Sequence, residues 1–326
     1  MSHSDTPACP PPPQSDDDTP ATTGSSNGQN NPDLVSDVAQ ATDAPCTACS
    51  WTPERQSHCS YHSNIKLFYS ASNRGVWSVG NRIVIKERGV KPPCLEARNI
   101  RFLEKNTTIP IPKIVTEWSE GNRYFMVNER LGSESLESAW PKMSSDERHR
   151  VAKQTADYLG QLRALQSPRI ESVDGGPAYS SFLFPGDYGA PYGPLSTDEE
   201  LWAEFAKGLE KVPEKAVRRL QKQMPVSTPY TFTHGDLAIV NVTVENGNFV
   251  GIIDWESSGY LPVWWEFTAA GIGLSDDDTD WKAMLRSYMP DFTKAREFWK
   301  NYYFLMRYPD LNEQAAEFLA VAEASE

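Results

Sequence analysis

His234-Gly235-Asp236-Leu237 is followed by Asn241 and, past the apolar run Val250-Gly251-Ile252-Ile253, by Asp254-Trp255-Glu256. This stretch decides the fold. An acid in a loop, an amide five residues on and a second acid at a strand end are what a magnesium-dependent phosphoryl-transfer site requires. In that pattern Asp236 orients a hydroxyl, while Asn241 and Asp254 hold metal against nucleotide phosphates. His234 is better suited to bracing the loop than to moving protons, because Asp236 is the nearer group to an acceptor.

The chain around this stretch has 326 residues, 39% of them hydrophobic and 11% aromatic, which is ordinary for a globular protein with a substantial core. No run approaches the roughly 18 consecutive apolar residues of a membrane span. The start, Met1-Ser2-His3-Ser4-Asp5, has neither a basic nor an apolar leader segment. The expectation is a cytoplasmic protein without membrane contact, whose five cysteines are reduced thiols. The formal charge of -13 is concentrated in residues 1–62, where eight acids face Arg55 alone. The remainder is mildly acidic, which argues against a nucleic-acid surface and tolerates a cationic small substrate.

Residues 1–62 read as a disordered tail. Pro10-Pro11-Pro12-Pro13, Asp16-Asp17-Asp18 and a Ser/Gly/Asn-rich stretch offer little apolar area to offset ordering entropy. Cys46, Cys49, His58, Cys59 and His62 lie at its end and have the residue types of a zinc site. The eight residues between Cys49 and His58 are shorter than the usual finger loop, so incidental thiols are the expected reading.

Beyond the tail, 75–79 and 82–86 read as strands flanking Gly80-Asn81, a two-residue hairpin turn. Lys86 then ends a strand, on the same face as Val84 and Arg82. A helix is expected over 94–105, with Glu96 near its start, where it can pair with Lys86. Taken singly, a surface lysine and a first-turn glutamate stabilised by the helix dipole are the plainer readings. Beside the Asp236 motif, a paired lysine poised for phosphates is favoured. The 123–131 strand ends at Gly132 and leads out of this lobe, and its backbone edge is placed to meet an adenine base.

Ser144-x-x-Glu147 is a capping box before Val151, Thr155, Tyr158, Leu159 and Leu162 at helical spacing. Residues 170–196 read as loop, and Thr197 with Glu200 caps another helix. Asp276-Asp277-Asp278 is expected to be a solvated loop or helix start. Trp264, Trp265, Trp281 and Trp299 are expected in the core, and Cys94 is expected to be buried.

Together, Thr233-His234-Gly235-Asp236-Leu237, Asn241, Ile252-Ile253-Asp254-Trp255-Glu256, Lys86, Glu96 and the strand running from Met126 to Leu131 resemble the aminoglycoside phosphotransferase family. The likeness is to members of fungal type, within the protein-kinase-like superfamily, and spans about residues 63–326. It implies a two-lobed α+β fold, with a small β-rich N-lobe over 63–131 and a larger helical C-lobe over 132–326. It also implies ATP and Mg2+ as cofactors and a small-molecule hydroxyl as acceptor. Asp236 would be catalytic, with Asn241 and Asp254 as metal ligands. Lys86, Glu96, Ser72, Met126 and Asn128 would form the nucleotide side. Two departures stand out: the turn Ala238-Ile239-Val240 is apolar, and the phosphate loop Ser70-Ala71-Ser72-Asn73-Arg74-Gly75 has a single glycine.

The short passage from Asp254 through Ser257-Ser258-Gly259 to Val263-Trp264-Trp265 leaves no long activation segment to seat a peptide. The expected activity is therefore an ATP- and magnesium-dependent small-molecule kinase, resembling aminoglycoside and choline kinases. A noncatalytic kinase-like binding module is the rival. A metallophosphatase is disfavoured, because three of the five histidines fall in the tail.

Overall fold

The computed structural model describes residues 64–186 and 189–324. The Cys46, Cys49, His58, Cys59 and His62 group and the rest of the expected tail lie outside the described residues.

The N-terminal part is a five-stranded antiparallel sheet in the order β1-β2-β3-β5-β4. Its strands are β1 (Ile65–Ala71), β2 (Arg74–Val79), β3 (Ile83–Gly89), β4 (Ile114–Glu120) and β5 (Arg123–Glu129). The β-branched run Ile83-Val84-Ile85 suits a pleated, half-buried surface. Between β3 and β4 lies α1 (Glu96–Asn106), whose Ile100 and Leu103 are buried. Three local expectations need correction. Val79 pairs with Ile83, so the turn holds Gly80, Asn81 and Arg82, with Gly80 at φ 61°. β3 continues to Gly89, so Lys86 sits mid-strand, opposite Val76 and Met126. β5 is a central strand with β3 on one side and β4 on the other, so it has no free edge for a base. The pairing runs on past Glu129, since the Arg130 N–H donates to the Arg82 carbonyl at 2.7 Å.

The C-terminal part is mainly helical. After β6 (Glu134–Ser135) and the short α2 (Leu136–Ala139) comes the long α3 (Ser145–Ala164), which opens on the Ser144/Glu147 capping box. β7 (Gln166–Ser167) leads into α4 (Asp198–Lys207), where the Thr197 side chain accepts from the Glu200 amide, and then α5 (Glu214–Lys222). Two small sheets follow. β8 (Tyr230–Thr233) lies between β7 and β11 (Gly259–Pro262), and β9 (Val242–Glu245) between β6 and β10 (Asn248–Ile252). The chain ends in α6 (Trp265–Ala269), α7 (Asp276–Arg286), α8 (Thr293–Leu305) and α9 (Glu313–Ala324). No helix among the described residues is long and apolar enough to cross a membrane.

Two cores hold these elements. One joins α1, α3 and the two small sheets through Leu103, Trp140, Leu162, Phe232, Ile252 and Trp255. The other packs α4, α5, α6 and α8 around Phe205, Leu220, Trp264, Trp265 and Phe298. Side chains of this size each contribute roughly 1.5–3 kcal/mol when fully buried. The tryptophans also orient loops. The Trp255 indole donates to the Ile252 carbonyl at 3.0 Å and the Trp281 indole to the Leu237 carbonyl at 3.2 Å. Asp276 and its neighbours begin α7 behind the Ser275 cap, and Cys94 is only half-buried, its thiol pushed up to about 11, chiefly by burial.

Candidate active site

β8 delivers His234-Gly235-Asp236 into the space beside the end of β10. Gly235 has φ 81°, and a Cβ there would come within 2.9 Å of the Ser257 carbonyl oxygen. Only glycine fits this approach. His234 is buried, and burial lowers its pKa to about 4, so the ring is neutral at pH 7. Nε2–H donates to the Ile253 carbonyl at 3.0 Å, and Nδ1 accepts the Asp236 amide at 3.2 Å. The histidine therefore ties the loop to the residue before Asp254, as the bracing reading expects.

The turn after Asp236 closes as a short 3-10 segment over Ile239–Asn241. Ala238 and Ile239 are buried, and the Ile239 N–H donates to Asp278 Oδ1 at 2.7 Å, while Val240 stays exposed. Asn241 Nδ2 donates to the Asp236 carbonyl at 2.8 Å, and the Asn241 carbonyl accepts the Ile253 amide at 2.9 Å. The loop and the strand end are thereby joined at both His234 and Asn241.

Asp254 adopts a left-handed conformation at φ 65°, uncommon for a non-glycine residue and frequent at functional sites. Its Oδ1 receives Lys86 Nζ at 2.8 Å, and the same ammonium reaches Glu96 Oε1 at 2.7 Å. Burial opposes ionisation of Asp254, but the lysine outweighs it and holds the carboxyl below the usual range. Glu96 is pushed up to about 7, mainly by burial and against the pull of Lys86. Lys86 itself is raised, because the two carboxylates outweigh its desolvation.

Asp236 is pushed up to about 6, first by burial and then by the negative charge of Asp254, with Lys282 opposing. No described residue donates a hydrogen bond to its carboxylate, which opens on a small pocket. A carboxylate with a pKa this near neutrality suits accepting a proton.

The donor set fits magnesium. Asn241 uses its amide N–H on Asp236, which leaves its Oδ1 as an oxygen donor, and Asp254 keeps its second oxygen beside the one on Lys86. No group of three or more His, Cys, Asp or Glu able to hold a metal occurs among the described residues. A metal held by these two side chains would need further oxygens, as substrate phosphates and water supply for magnesium.

The remaining sequence-expected residues lie in β5 and the β1–β2 turn. Met126 is buried opposite Lys86, and Asn128 is buried with Oδ1 lacking a partner. Ser72 occupies the exposed β1–β2 turn at φ 52°. From the position two residues later, Arg74 pairs with Glu256, which also takes Arg88 at 2.6 Å. Sequence reasoning missed this clasp and one further brace: Glu266 Oε2 accepts the His234 amide at 2.6 Å. The available signal was an acid inside the apolar run Val263-Trp264-Trp265-Glu266-Phe267, since such residues are seldom buried unless engaged. Asn99 was missed as well; its Nδ2 donates to the carbonyls of Trp255 at 2.7 Å and Ser258 at 3.2 Å.

The fold has solved counterparts. A streptomycin–ATP ternary complex of APH(2'')-IIa superimposes with a TM-score of 0.51 at 15% identity, covering 84% of this chain and 95% of the other. The ADP-bound aminoglycoside phosphotransferase APH(2'')-Ib gives 0.50 at 12% identity, covering 82% and 94%. At such identity the likeness concerns the fold. No curated protein matches the sequence. A sequence model described as the Phosphotransferase enzyme family does match, over residues 94–298. That match takes in Glu96, the loop at Asp236 and Asn241, and the acid at Asp254, and extends over more than half of the chain, so this chain belongs to the Phosphotransferase enzyme family (APH).

Proposed function

We propose that the protein is an ATP- and Mg2+-dependent kinase that phosphorylates a hydroxyl of a small molecule. Residues 63–131 would form the nucleotide-binding lobe and residues 132–326 the part holding the catalytic loop and acceptor pocket. The observation that carries this reading is the bridge from Lys86 to both Glu96 and Asp254, beside a loop in which Asp236 is left without a hydrogen-bond donor. A neighbour of the same fold in complex with ATP supports the choice of nucleotide.

In this reading Asn241 and Asp254 hold magnesium, which when bound neutralises phosphate charge. Lys86, fixed by Glu96, offers its ammonium to the phosphates. Ser72, Met126 and Asn128 belong to the nucleotide side. Asp236 aligns the acceptor hydroxyl and takes its proton. His234 and Glu266 are positioning residues that fix the loop from either side. Because phosphoryl transfer rests largely on positioning and charge stabilisation, these braces matter to rate.

The test is to incubate the purified chain with ATP, magnesium and a panel of hydroxylated small molecules, following ADP and phosphorylated product. Acceptor-dependent product supports the kinase. Tight Mg-ATP binding without product from any acceptor contradicts it and favours a binding module.

A further inference from the structure

Glu256 lies two residues beyond Asp254, on the short 3-10 segment Trp255–Ser257. Its Oε1 accepts from Arg74 Nη1, and its Oε2 accepts from Arg88 Nη1 at 2.6 Å. Arg74 is the first residue of β2, directly after Ser72-Asn73, and Arg88 lies in β3 two residues past Lys86. Lys86 pairs with Val76 across the two strands, so strand alternation puts Arg74 and Arg88 on the face of the lysine. One carboxylate therefore fastens two strands of the sheet to the segment that carries the candidate metal ligand.

The two ends of this clasp differ in how firmly they are built. On the Glu256 side, the segment is pinned to α1 by Asn99, whose Nδ2 donates to the Trp255 and Ser258 carbonyls, and the Trp255 ring is buried. On the Arg74 side, Ala71, Ser72 and Asn73 are exposed, and Ser72 adopts a left-handed φ of 52° that a side chain disfavours. A short exposed turn of this kind takes its place from what anchors it. The Arg88 and Glu256 side chains are only 11% and 20% exposed, so solvent screens their pair less than a surface one.

We infer that Glu256 is a positioning residue for the nucleotide: through Arg74 it holds the β1–β2 turn in place against the phosphates, and through Arg88 it fixes its own distance from β3. This inference rests on the kinase reading above. Phosphates held by Lys86 and by a metal at Asp254 lie beside Glu256, and the turn that Arg74 ends is drawn to the same place. A turn already in position meets them without a further ordering cost, so affinity follows the fraction of molecules in which the clasp is closed. In this account Glu256 touches neither the metal nor the phosphates and acts through Arg74.

Glu256→Gln, Arg74→Gln and the double variant test it, since each single change keeps the side chain's length and removes its charge. A cooperative thermal melt checks that each folds. Calorimetry should show each single variant binding Mg-ATP about tenfold more weakly, with the double variant no weaker than the weaker single one, because both act through one contact. Affinity for adenosine, which has no phosphate, should stay within about twofold of wild type, an outcome that general loosening of the fold would not give. Unchanged Mg-ATP affinity, an equal loss for adenosine, or additive losses in the double variant overturn the inference while the kinase reading stands. Tighter Mg-ATP binding in Glu256→Gln beside weaker binding in Arg74→Gln overturns it too, since Arg74 would then act on the phosphates itself. A wild type that binds no Mg-ATP removes the kinase reading, and the inference falls with it.

Discussion

Lys86 and Asp254 are 168 residues apart in the chain, yet Nζ and Oδ1 lie 2.8 Å from one another. Two residues further along each segment, Arg88 meets Glu256 at 2.6 Å. Alternate residues of β3 share a face, so two successive positions on that face engage alternate residues of the segment after β10. The sheet is thus tied to the acid of the candidate metal site by paired charges. Removing Asp254 still leaves Lys86 its bond to Glu96, which makes the position testable without loss of the fold.

Asp254→Ala should abolish the magnesium-dependent part of ATP affinity. Calorimetry with and without magnesium measures this directly. An equal enhancement by magnesium in wild type and variant would remove Asp254 from the metal site.

Glu256→Gln releases two guanidinium groups, Arg74 and Arg88, from one partly exposed carboxylate. The expected loss of stability is about 1 kcal/mol, because such pairs are screened by solvent. Thermal melts at low and high salt check it. The gap between wild type and variant should shrink as salt rises, and a salt-independent gap would assign the effect to packing instead.

Glu266 gives stability a pH dependence. Burial pushes its pKa up to about 7, so between roughly pH 4.3 and 7 the unfolded chain ionises while the folded one keeps the proton. Stability from this group is fully present below that window and is lost as pH rises through it. Glu266→Gln retains a carbonyl acceptor for the His234 amide and is uncharged at every pH. Urea unfolding at pH 5 and pH 8 should show wild type losing on the order of 2 kcal/mol more than the variant across the interval. Parallel profiles would contradict a folded state that keeps Glu266 protonated.

Much of this geometry was legible because it is local. Strand alternation set the face of Lys86, a helix first turn set Glu96, and Ser144 and Thr197 announced their helices through acids three residues on. What the sequence hid depends on pairing between distant segments. Nothing in the residues of β5 reveals that β4 folds back to cover its other edge. The partners of Glu256 and Glu266 lie 182 and 32 residues away, and no periodicity encodes such distances. The apolar turn Ala238-Ile239-Val240 is a departure in sequence but orderly in space. Ile239 fills the core while its amide is held by Asp278, an acid the sequence assigns only to a helix start.

The central claim is that Asp236 acts on the acceptor rather than on the nucleotide. Asp236→Asn preserves shape and removes the charge and the proton-accepting group. The decisive measurement is ADP release under saturating Mg-ATP and acceptor, paired with Mg-ATP affinity by calorimetry. The account predicts an affinity close to wild type and a turnover reduced at least about a hundredfold, the scale of a positioned general base. Turnover within a few-fold of wild type, or a loss explained wholly by weaker Mg-ATP binding, would contradict it.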